Sequence, residues 1–250
     1  MARRDDVLAH ARELLSLDSF PDYGPMGMQV AGAREVSRIA CGVSSSLELF
    51  RQAAALGAEL LVVHHGLFWN SDPRVVDDVM RARLQALFDG VPGGITLAAY
   101  HLALDAHPEI GNNARLCQEL GVEVDAQFGQ VGLGGALRVP ESAASFAGRV
   151  AALLGREPLL FAHGPDPVRR VAICSGGAGK DLPRAAAEGY DLYLTGEPEE
   201  PSLHQAKELG IAFVAAGHYA TERLGVQALS ARLAARFGLE WSFVELPNPV

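Results

Sequence analysis

Hydrophobic and polar positions along the chain follow two alternating periods. Apolar residues spaced three and four apart predict helices, whereas short β-branched runs predict strands. The predicted helices are Asp5–Leu17, Ser46–Leu56, Pro73–Phe88, Asn112–Leu120, Ser142–Leu154, Leu182–Glu188, Pro201–Leu209 and Thr221–Phe237. The predicted strands are Arg38–Val43, Leu60–Val63, Ile95–Tyr100, Val171–Cys174, Leu192–Leu194, Ile211–Ala215 and Trp241–Leu246. Because strands and helices alternate, we expect an α/β fold with mainly parallel sheets flanked by helices.

An internal repeat indicates two similar halves. When the sequence is offset by 132 residues, Arg38–Val63 aligns with Arg170–Thr195 without a gap, and seven of the 26 positions are identical. Both segments have the predicted order strand, helix, glycine, strand. We therefore expect two related α/β domains, residues 1–127 and 128–250, with the C-terminal helix and strand able to pack back on the first domain.

Composition narrows the classes of protein that this chain can be. With 49% apolar residues among 250, a sizeable core can form. The net charge of −9 and the lack of a Lys/Arg block disfavour non-specific nucleic-acid binding. The apolar runs are too short to span a membrane, and the charged N-terminal segment does not resemble a signal peptide. Three widely spaced cysteines fit the reducing cytoplasm, which is the location we expect.

Histidines follow three of the predicted strands. His64 and His65 follow one strand, His101 follows the next, and His218 follows a strand in the second half. The carboxyl ends of parallel strands share one edge of a sheet, and α/β proteins bind ligands at that edge. A single histidine at a strand end is more often a solvated loop residue, but a cluster of them points to a metal site.

Two carboxylates strengthen the metal interpretation. Asp105 and Glu222 lie four residues after His101 and His218, and this spacing brings side chains to one face of a helical turn. Imidazole and carboxylate together are typical ligands of Zn, Fe, Mn or Ni. Adjacent histidines in a strand point to opposite faces, so His64 and His65 could each bind one of two ions. Two ions about 3.5–4 Å apart would activate a bridging water for hydrolysis.

Three other features are open to two interpretations each. Glu197 follows a predicted strand, so it could face the same cleft as the histidines, or it could have a surface or a supporting role instead. The glycine-rich segment 175–180 departs from the phosphate-loop pattern, and it is more typical of a turn than of a phosphate site. Phe68 and Trp69 could line a pocket, although core packing is the commoner role of such residues.

Six segments spread over nearly the whole chain carry a resemblance to a known family. They are Asp22–Val30, Val62–Trp69, Tyr100–Asn113, Leu194–Glu197, Gly217–Glu222 and Pro247–Pro249. In these segments the chain resembles the NGG-interacting-factor-three-like family, in the short bacterial form often named GTP cyclohydrolase I type 2 homologue. The chain departs from the family pattern at Met26, where asparagine is usual, and at Ala103, where proline is frequent; both positions are expected near the cleft.

The resemblance implies two related α/β domains around a centre of two divalent metal ions. The ligands that it implies are His64, His65, Asp105, His218 and Glu222, with Glu222 bridging the ions. His101 is implied as a proton carrier or outer ligand, and we expect Glu197 to assist it. The resemblance also implies a ring-shaped homohexamer, a trimer of dimers.

These observations lead to two functional hypotheses. The first is a di-metal hydrolase that acts on a nucleotide or another small molecule through a metal-bridging hydroxide, in the manner of a GTP cyclohydrolase I. The second is a non-catalytic metal-binding or regulatory protein that forms a ring. An open pocket beside the metal ligands would favour the enzyme, and ligands that close around the metal would favour the binding protein.

Overall fold

A computed structural model describes residues 1–250, which form thirteen strands and ten α-helices. The strands are β1 (Ala2–Arg3), β2 (Gly27–Val30), β3 (Glu35–Val36), β4 (Arg38–Ser44), β5 (Leu60–His65), β6 (Thr96–Ala99), β7 (Val122–Phe128), β8 (Gly132–Glu141), β9 (Leu159–Ala162), β10 (Val168–Cys174), β11 (Leu192–Thr195), β12 (Ala212–Ala215) and β13 (Glu240–Phe243). The helices are α1 (Arg4–Leu14), α2 (Leu47–Ala55), α3 (Asp78–Asp89), α4 (Leu102–Asp105), α5 (Asn112–Glu119), α6 (Ala143–Leu154), α7 (Leu182–Ala187), α8 (Ser202–Leu209), α9 (His218–Thr221) and α10 (Arg223–Phe237). None of the helices combines the length and the apolar character that crossing a bilayer requires.

The chain divides into two compact units, and the expected α/β fold class is confirmed. The first unit comprises Met1–Leu104 and Gly225–Leu246, and the second comprises Asp105–Leu224 and Pro247–Val250. The expected boundary between residues 127 and 128 falls inside β7, which pairs with β8 along its length. This pairing joins β7 to the second unit, so the chain changes units before β7 begins. The division into domains 1–127 and 128–250 stays a prediction.

The first unit is built on a five-stranded sheet of order β13-β4-β5-β6-β2, in which only β2 is antiparallel. Alternate strand residues such as Leu61 and Val63 pack against α2 and α3 on one face. Ser230 of α10 is buried beside Cys41 of β4, whose thiol is also buried. Helix α3 starts later than the predicted Pro73, because Asp77 caps it by accepting a hydrogen bond from the N–H of Met80 (2.8 Å).

The second unit has a six-stranded mixed sheet of order β7-β8-β10-β11-β12-β9. Only β10, β11 and β12 run parallel to one another, so the expected mainly parallel arrangement describes the first sheet better than the second. A glycine-rich stretch that interrupts the predicted pattern, Gly129–Gly135, lies largely in β8. A Cβ built at Gly134 would lie 1.9 Å from the hydroxyl oxygen of Tyr190, so the tyrosine can pack here only against glycine.

The internal repeat has a structural counterpart at the start of β4 and of β10. Both copies form two parallel strands in the same register. In the first copy the Glu59 carboxylate accepts hydrogen bonds from the backbone N–H groups of residues 37 and 38 (3.0 Å each). In the second copy Asp191, which is 132 positions later, accepts them from residues 169 and 170 (2.8 and 2.9 Å). Each repeat therefore uses a carboxylate to bind the first N–H groups of its leading strand.

Candidate functional site

Three histidines converge at one edge of the sheet in the first unit. His64 and His65 are the last two residues of β5, and His101 follows β6. One ring nitrogen of each lies within 4.8 Å of the others, and the ring centroids of His64 and His101 are 5.0 Å apart. Since β6 ends at Ala99, the chain beyond it turns beside the end of β5, and His64 contacts Tyr100 there. The side chains of His64 and His65 thus belong to the same cluster, although adjacent residues of a regular strand point to opposite faces.

Each of these rings is oriented by a hydrogen bond at Nδ1. The Nδ1–H of His64 donates to the backbone carbonyl of Tyr100 (3.0 Å), and His101 Nδ1 lies 2.8 Å from a carboxylate oxygen of Asp22. His65 Nδ1 lies 2.9 Å from the Ser44 hydroxyl. A neutral imidazole that donates through Nδ1 carries its lone pair on Nε2, so Nε2 is the basic atom of the His64 ring. A hydrogen bond at the second ring nitrogen is typical of metal-binding histidines.

Asp22 is a functional residue to which the sequence analysis assigned no role. Its side chain is only 3% exposed, and it accepts hydrogen bonds from His101 Nδ1 and from the backbone N–H groups of Leu102 (2.9 Å) and Tyr23 (2.7 Å). Burial alone would raise the pKa of Asp22, but the hydrogen bond and the charge of His101, together with the two N–H groups, lower it below its usual value. Asp22 is therefore a carboxylate that holds the His101 ring. The available signal was its place at the start of the matched segment Asp22–Val30.

A second side chain from the same segment supports the loop after β5. The carboxamide oxygen of Gln29 accepts from the N–H groups of Leu67 (2.6 Å) and Phe68 (3.1 Å). A Cβ at Gly66 would lie 2.4 Å from Gln29 Nε2, which explains the glycine after the two histidines. Met26, one of the departures from the family pattern, packs against the apolar core of this unit. The other departure, Ala103, is also buried.

Two cavities lie in the first unit, and a histidine lines one of them. The larger, of about 600 Å³, is lined by Phe68, Trp69, Arg74 and neighbouring residues of the loop before α3. The second, of about 360 Å³, is lined by His65 and Trp69, among others. Trp69 also packs edge-on against His101, with ring centroids 5.1 Å apart. The aromatic pair therefore lines a pocket, and Phe68 in addition packs against the core.

In the second unit His218 lies between two carboxylates. It is the first residue of α9, and Glu222 directly follows that helix, so His218 Nε2 lies 3.2 Å from Glu222 Oε2, as their spacing predicts. The opposite ring nitrogen, Nδ1, hydrogen-bonds Glu197. Burial lowers the pKa of His218, but the hydrogen bonds and charges of Glu222 and Glu197 outweigh it and raise the pKa to about 9. Glu197 thus orients His218, which agrees with the supporting role rather than the surface one.

Asp105 is the fourth acidic or histidine side chain of this set. It is buried, and one of its oxygens lies within 4.8 Å of an oxygen of Glu222. The side-chain amide of Asn112 donates to Asp105 Oδ1 (2.8 Å), and the Ser175 hydroxyl lies 3.4 Å from the same atom. The glycine-rich turn also reaches this set. Gly176 has φ +68°, and a Cβ there would lie 2.2 Å from Glu222 Oε1.

All seven residues proposed from the sequence thus belong to one of two sets. His64, His65 and His101 cluster in the first unit, and Asp105, Glu197, His218 and Glu222 cluster in the second. The donor groups are imidazoles and buried carboxylates, which are the groups that bind divalent transition metals. The structure adds Asp22 and Asn112, which hydrogen-bond members of these sets.

Comparison with known proteins identifies the family. The chain is 44% identical to a GTP cyclohydrolase 1 type 2 homolog from Pseudomonas aeruginosa over 248 residues, which are 97% of each chain. Its fold matches protein ybgI, described as of unknown function, with a TM-score of 0.95, 39% identity and full coverage of both chains. It also matches TTHA1606 from Thermus thermophilus, with a TM-score of 0.92, 37% identity and full coverage of both. The model of the Duf34/NIF3 (NGG1p interacting factor 3) family matches residues 2–249, and the chain belongs to this family.

Proposed function

We propose that this protein is a metal-dependent hydrolase that acts on a nucleotide in a GTP cyclohydrolase-like reaction. The observation that carries the proposal is the cluster of three histidines whose ring nitrogens lie within 4.8 Å of one another in the first unit. The names of its relatives, GTP cyclohydrolase 1 type 2 homolog, support a nucleotide as the substrate class. The proposed ligands of two divalent ions are His64, His65, Asp105, His218 and Glu222.

The residues present fit divalent metal ions. Neutral imidazoles oriented through Nδ1 and buried carboxylates form a donor set that Zn, Fe, Mn and Ni accept. Gly176 brings backbone up to Glu222 and His218 where any Cβ would collide, as expected of a site shaped around its ligand groups. Bound divalent ions supply Lewis acidity and lower the pKa of water.

The chain's own residues supply proton transfer and orientation. His101 would carry protons at Nε2, while the Asp22 carboxylate keeps its Nδ1 protonated and fixes the ring. Glu197 would act on His218 in the same way, because it accepts the Nδ1–H of that ring. We therefore assign His101 as the proton carrier and Glu197 as a positioning residue.

Metal content tests the ligand assignment. We expect elemental analysis of protein purified without chelators to give about two divalent transition-metal ions per chain, the two-ion arrangement of hydrolytic sites. His65→Ala and Glu222→Ala should each lose most of the metal. His204→Ala is the matched control, because it removes an exposed imidazole on α8 that is not among the proposed ligands. Metal content that is unchanged in both ligand variants would refute the assignment.

Turnover separates the enzyme from a non-catalytic metal-binding or regulatory protein. The cavity of about 360 Å³ beside His65 favours the enzyme, because it leaves room for a small molecule at a proposed ligand. Incubation of the metal-loaded protein with GTP should release formate, and His101→Ala should abolish that release without loss of metal. Two bound ions with no turnover of GTP or other nucleotides would favour the non-catalytic protein instead.

Assembly and location complete the proposal. We propose a homohexamer, a trimer of dimers, and multi-angle light scattering should give about six times the 26.5 kDa mass of one chain. The His65→Ala variant should keep this mass, because the metal serves function rather than assembly. The three buried free cysteines, Cys41, Cys117 and Cys174, support the reducing cytoplasm as the location.

A further inference from the structure

Arg156 is a partly buried cation beside the metal-ligand set of the second unit. It lies between Gly155, which ends α6, and β9. Since β9 pairs antiparallel with β12 and Leu159 lies opposite Ala215, residues just before β9 lie level with those just after β12. Those residues include Gly217 and His218. Arg156 is therefore positioned at the carboxyl edge of the parallel strands, where α/β folds bind their ligands.

The guanidinium lies directly against the backbone of Gly217. A Cβ built there would be 2.3 Å from Arg156 Nη1 and 2.8 Å from Cζ. Gly217 also has φ +97°, which side-chain-bearing residues rarely adopt. A glycine before His218 thus has two structural causes, and one of them is room for this guanidinium.

Arg156 differs from the other arginines of its unit because its guanidinium makes no hydrogen bond or ion pair with protein, although the side chain is not exposed. The others bond carboxylates or carbonyls: Arg115 to Glu119, Arg138 to Glu123, Arg149 to Glu141, Arg170 to Asp125, Arg184 to Glu188 and Arg223 to Leu154; the exception, Arg169, is exposed. A guanidinium presents five N–H donors in a planar fork that matches phosphate. A half-buried fork without a protein acceptor at a ligand-binding edge is suited to an acceptor on the ligand.

We infer that Arg156 binds the phosphate chain of a nucleotide substrate and so selects nucleotides over nucleosides. The inference rests on the proposed function for the identity of the substrate. The nearby acids Glu197 and Glu222 are both engaged with His218, which offsets part of their negative charge. Arg156 is then a positive group at this edge that can pair with the negative charge of the ligand.

Calorimetric binding of GTP, guanosine and pyrophosphate to the full-length protein tests the inference. Arg156→Met keeps most of the apolar stem and removes the guanidinium. Because charge-assisted hydrogen bonds are lost, we expect this variant to raise the Kd for GTP about tenfold to a hundredfold. Its Kd for guanosine should be unchanged. Arg156→Lys should fall between them, because it restores the charge without the fork. Arg169→Met is the matched control, because Arg169 is exposed near the start of β10, whereas the ligand edge lies at the other end of that strand, beyond Cys174.

The outcomes also separate this inference from the proposed function. Equal Kd values for GTP in the wild type and in Arg156→Met would overturn the role of Arg156. An equal loss of guanosine affinity in Arg156→Met would also overturn it. So would a wild-type protein that binds neither GTP nor pyrophosphate. Metal content, measured on the same samples, should not change in Arg156→Met. If the wild type contained no metal, the proposed function would fail, while pyrophosphate binding would still decide the role of Arg156.

Discussion

The loop after β5 depends on the side-chain carboxamide of Gln29, and this dependence can be measured. The Gln29 oxygen accepts from the N–H groups of Leu67 (2.6 Å) and Phe68 (3.1 Å), and its nitrogen donates to the carbonyls of Pro25 (2.8 Å) and Phe68 (3.2 Å). A Cβ at Gly66 would lie 2.4 Å from that nitrogen and 2.5 Å from that oxygen. The substitution Gly66→Ala must therefore displace a group that four hydrogen bonds hold in place.

The expected magnitude follows from those bonds. Each contributes about 0.5–1.5 kcal/mol net, so Gly66→Ala should lower the free energy of unfolding by about 2–6 kcal/mol. Gln29→Ala removes the same bonds and should cost about the same, but it leaves space for the new methyl group. The double variant should then lose little more than either single variant, so the coupling energy should be about as large as one single-variant loss.

Urea unfolding followed by tryptophan fluorescence is the suitable assay. The chain has two tryptophans, Trp69 and Trp241, and both belong to the unit that contains the loop. Gly57→Ala is the control: Gly57 has φ +67°, and a Cβ added there would meet no atom within 4 Å, so the substitution should cost about 1 kcal/mol by conformation alone and add fully to Gln29→Ala. A Gly66→Ala variant within about 0.5 kcal/mol of wild type, or full additivity with Gln29→Ala, would refute the reasoning.

Three further predictions concern charge, helix stability and orientation. Burial alone would raise the pKa of Glu59, but the hydrogen bonds from residues 37 and 38 lower it. The Glu59 carboxylate therefore stabilises the fold at pH values above its unfolded-state pKa, and this stabilisation is lost as the pH falls through its folded-state pKa. Glu59→Gln should therefore be less stable than wild type by about 1–2 kcal/mol at pH 7, and urea unfolding should show the difference shrinking under acid; a constant difference would contradict this. Gly148→Ala, at an exposed site inside α6 with open space around it, should stabilise by about 0.5–1 kcal/mol in thermal unfolding followed by circular dichroism, and a loss of stability would show a hidden constraint. Asp22→Asn should reduce nucleotide turnover about 10–100-fold with metal content unchanged, and wild-type turnover would mean that His101 needs no carboxylate.

Local sequence pattern was enough to predict most helices and the strands that lead to the histidines. These strands are short apolar runs buried on both faces, and the helices between them have one apolar face, so the pattern and the structure share one cause. The repeat was also visible, and the equivalence of Glu59 and Asp191 shows that it extends to backbone hydrogen bonds. The i, i+4 spacing of His218 and Glu222 predicted their contact because one helical turn determines it.

Strands β7 and β8 were missed because neither has a continuous apolar run. Strand β9 is a run of four apolar residues, and so short a run does not distinguish a strand by its periodicity. In β8 the glycines that interrupt the pattern are required by Tyr190 and by the neighbouring strand, and those contacts come from distant parts of the chain. The same reason applies to Asp77, whose capping of α3 moved the start of that helix away from Pro73.

Residue type and position after a strand are local properties, so the sequence alone pointed to the candidate metal ligands. The side chains that orient these residues became visible only in the folded chain. Asp22 reaches His101 across 79 positions and Gln29 reaches Leu67 across 38. Arg156 meets Gly217 through the pairing of β9 with β12. Such contacts depend on how strands are ordered in a sheet, and a periodic pattern does not encode that order.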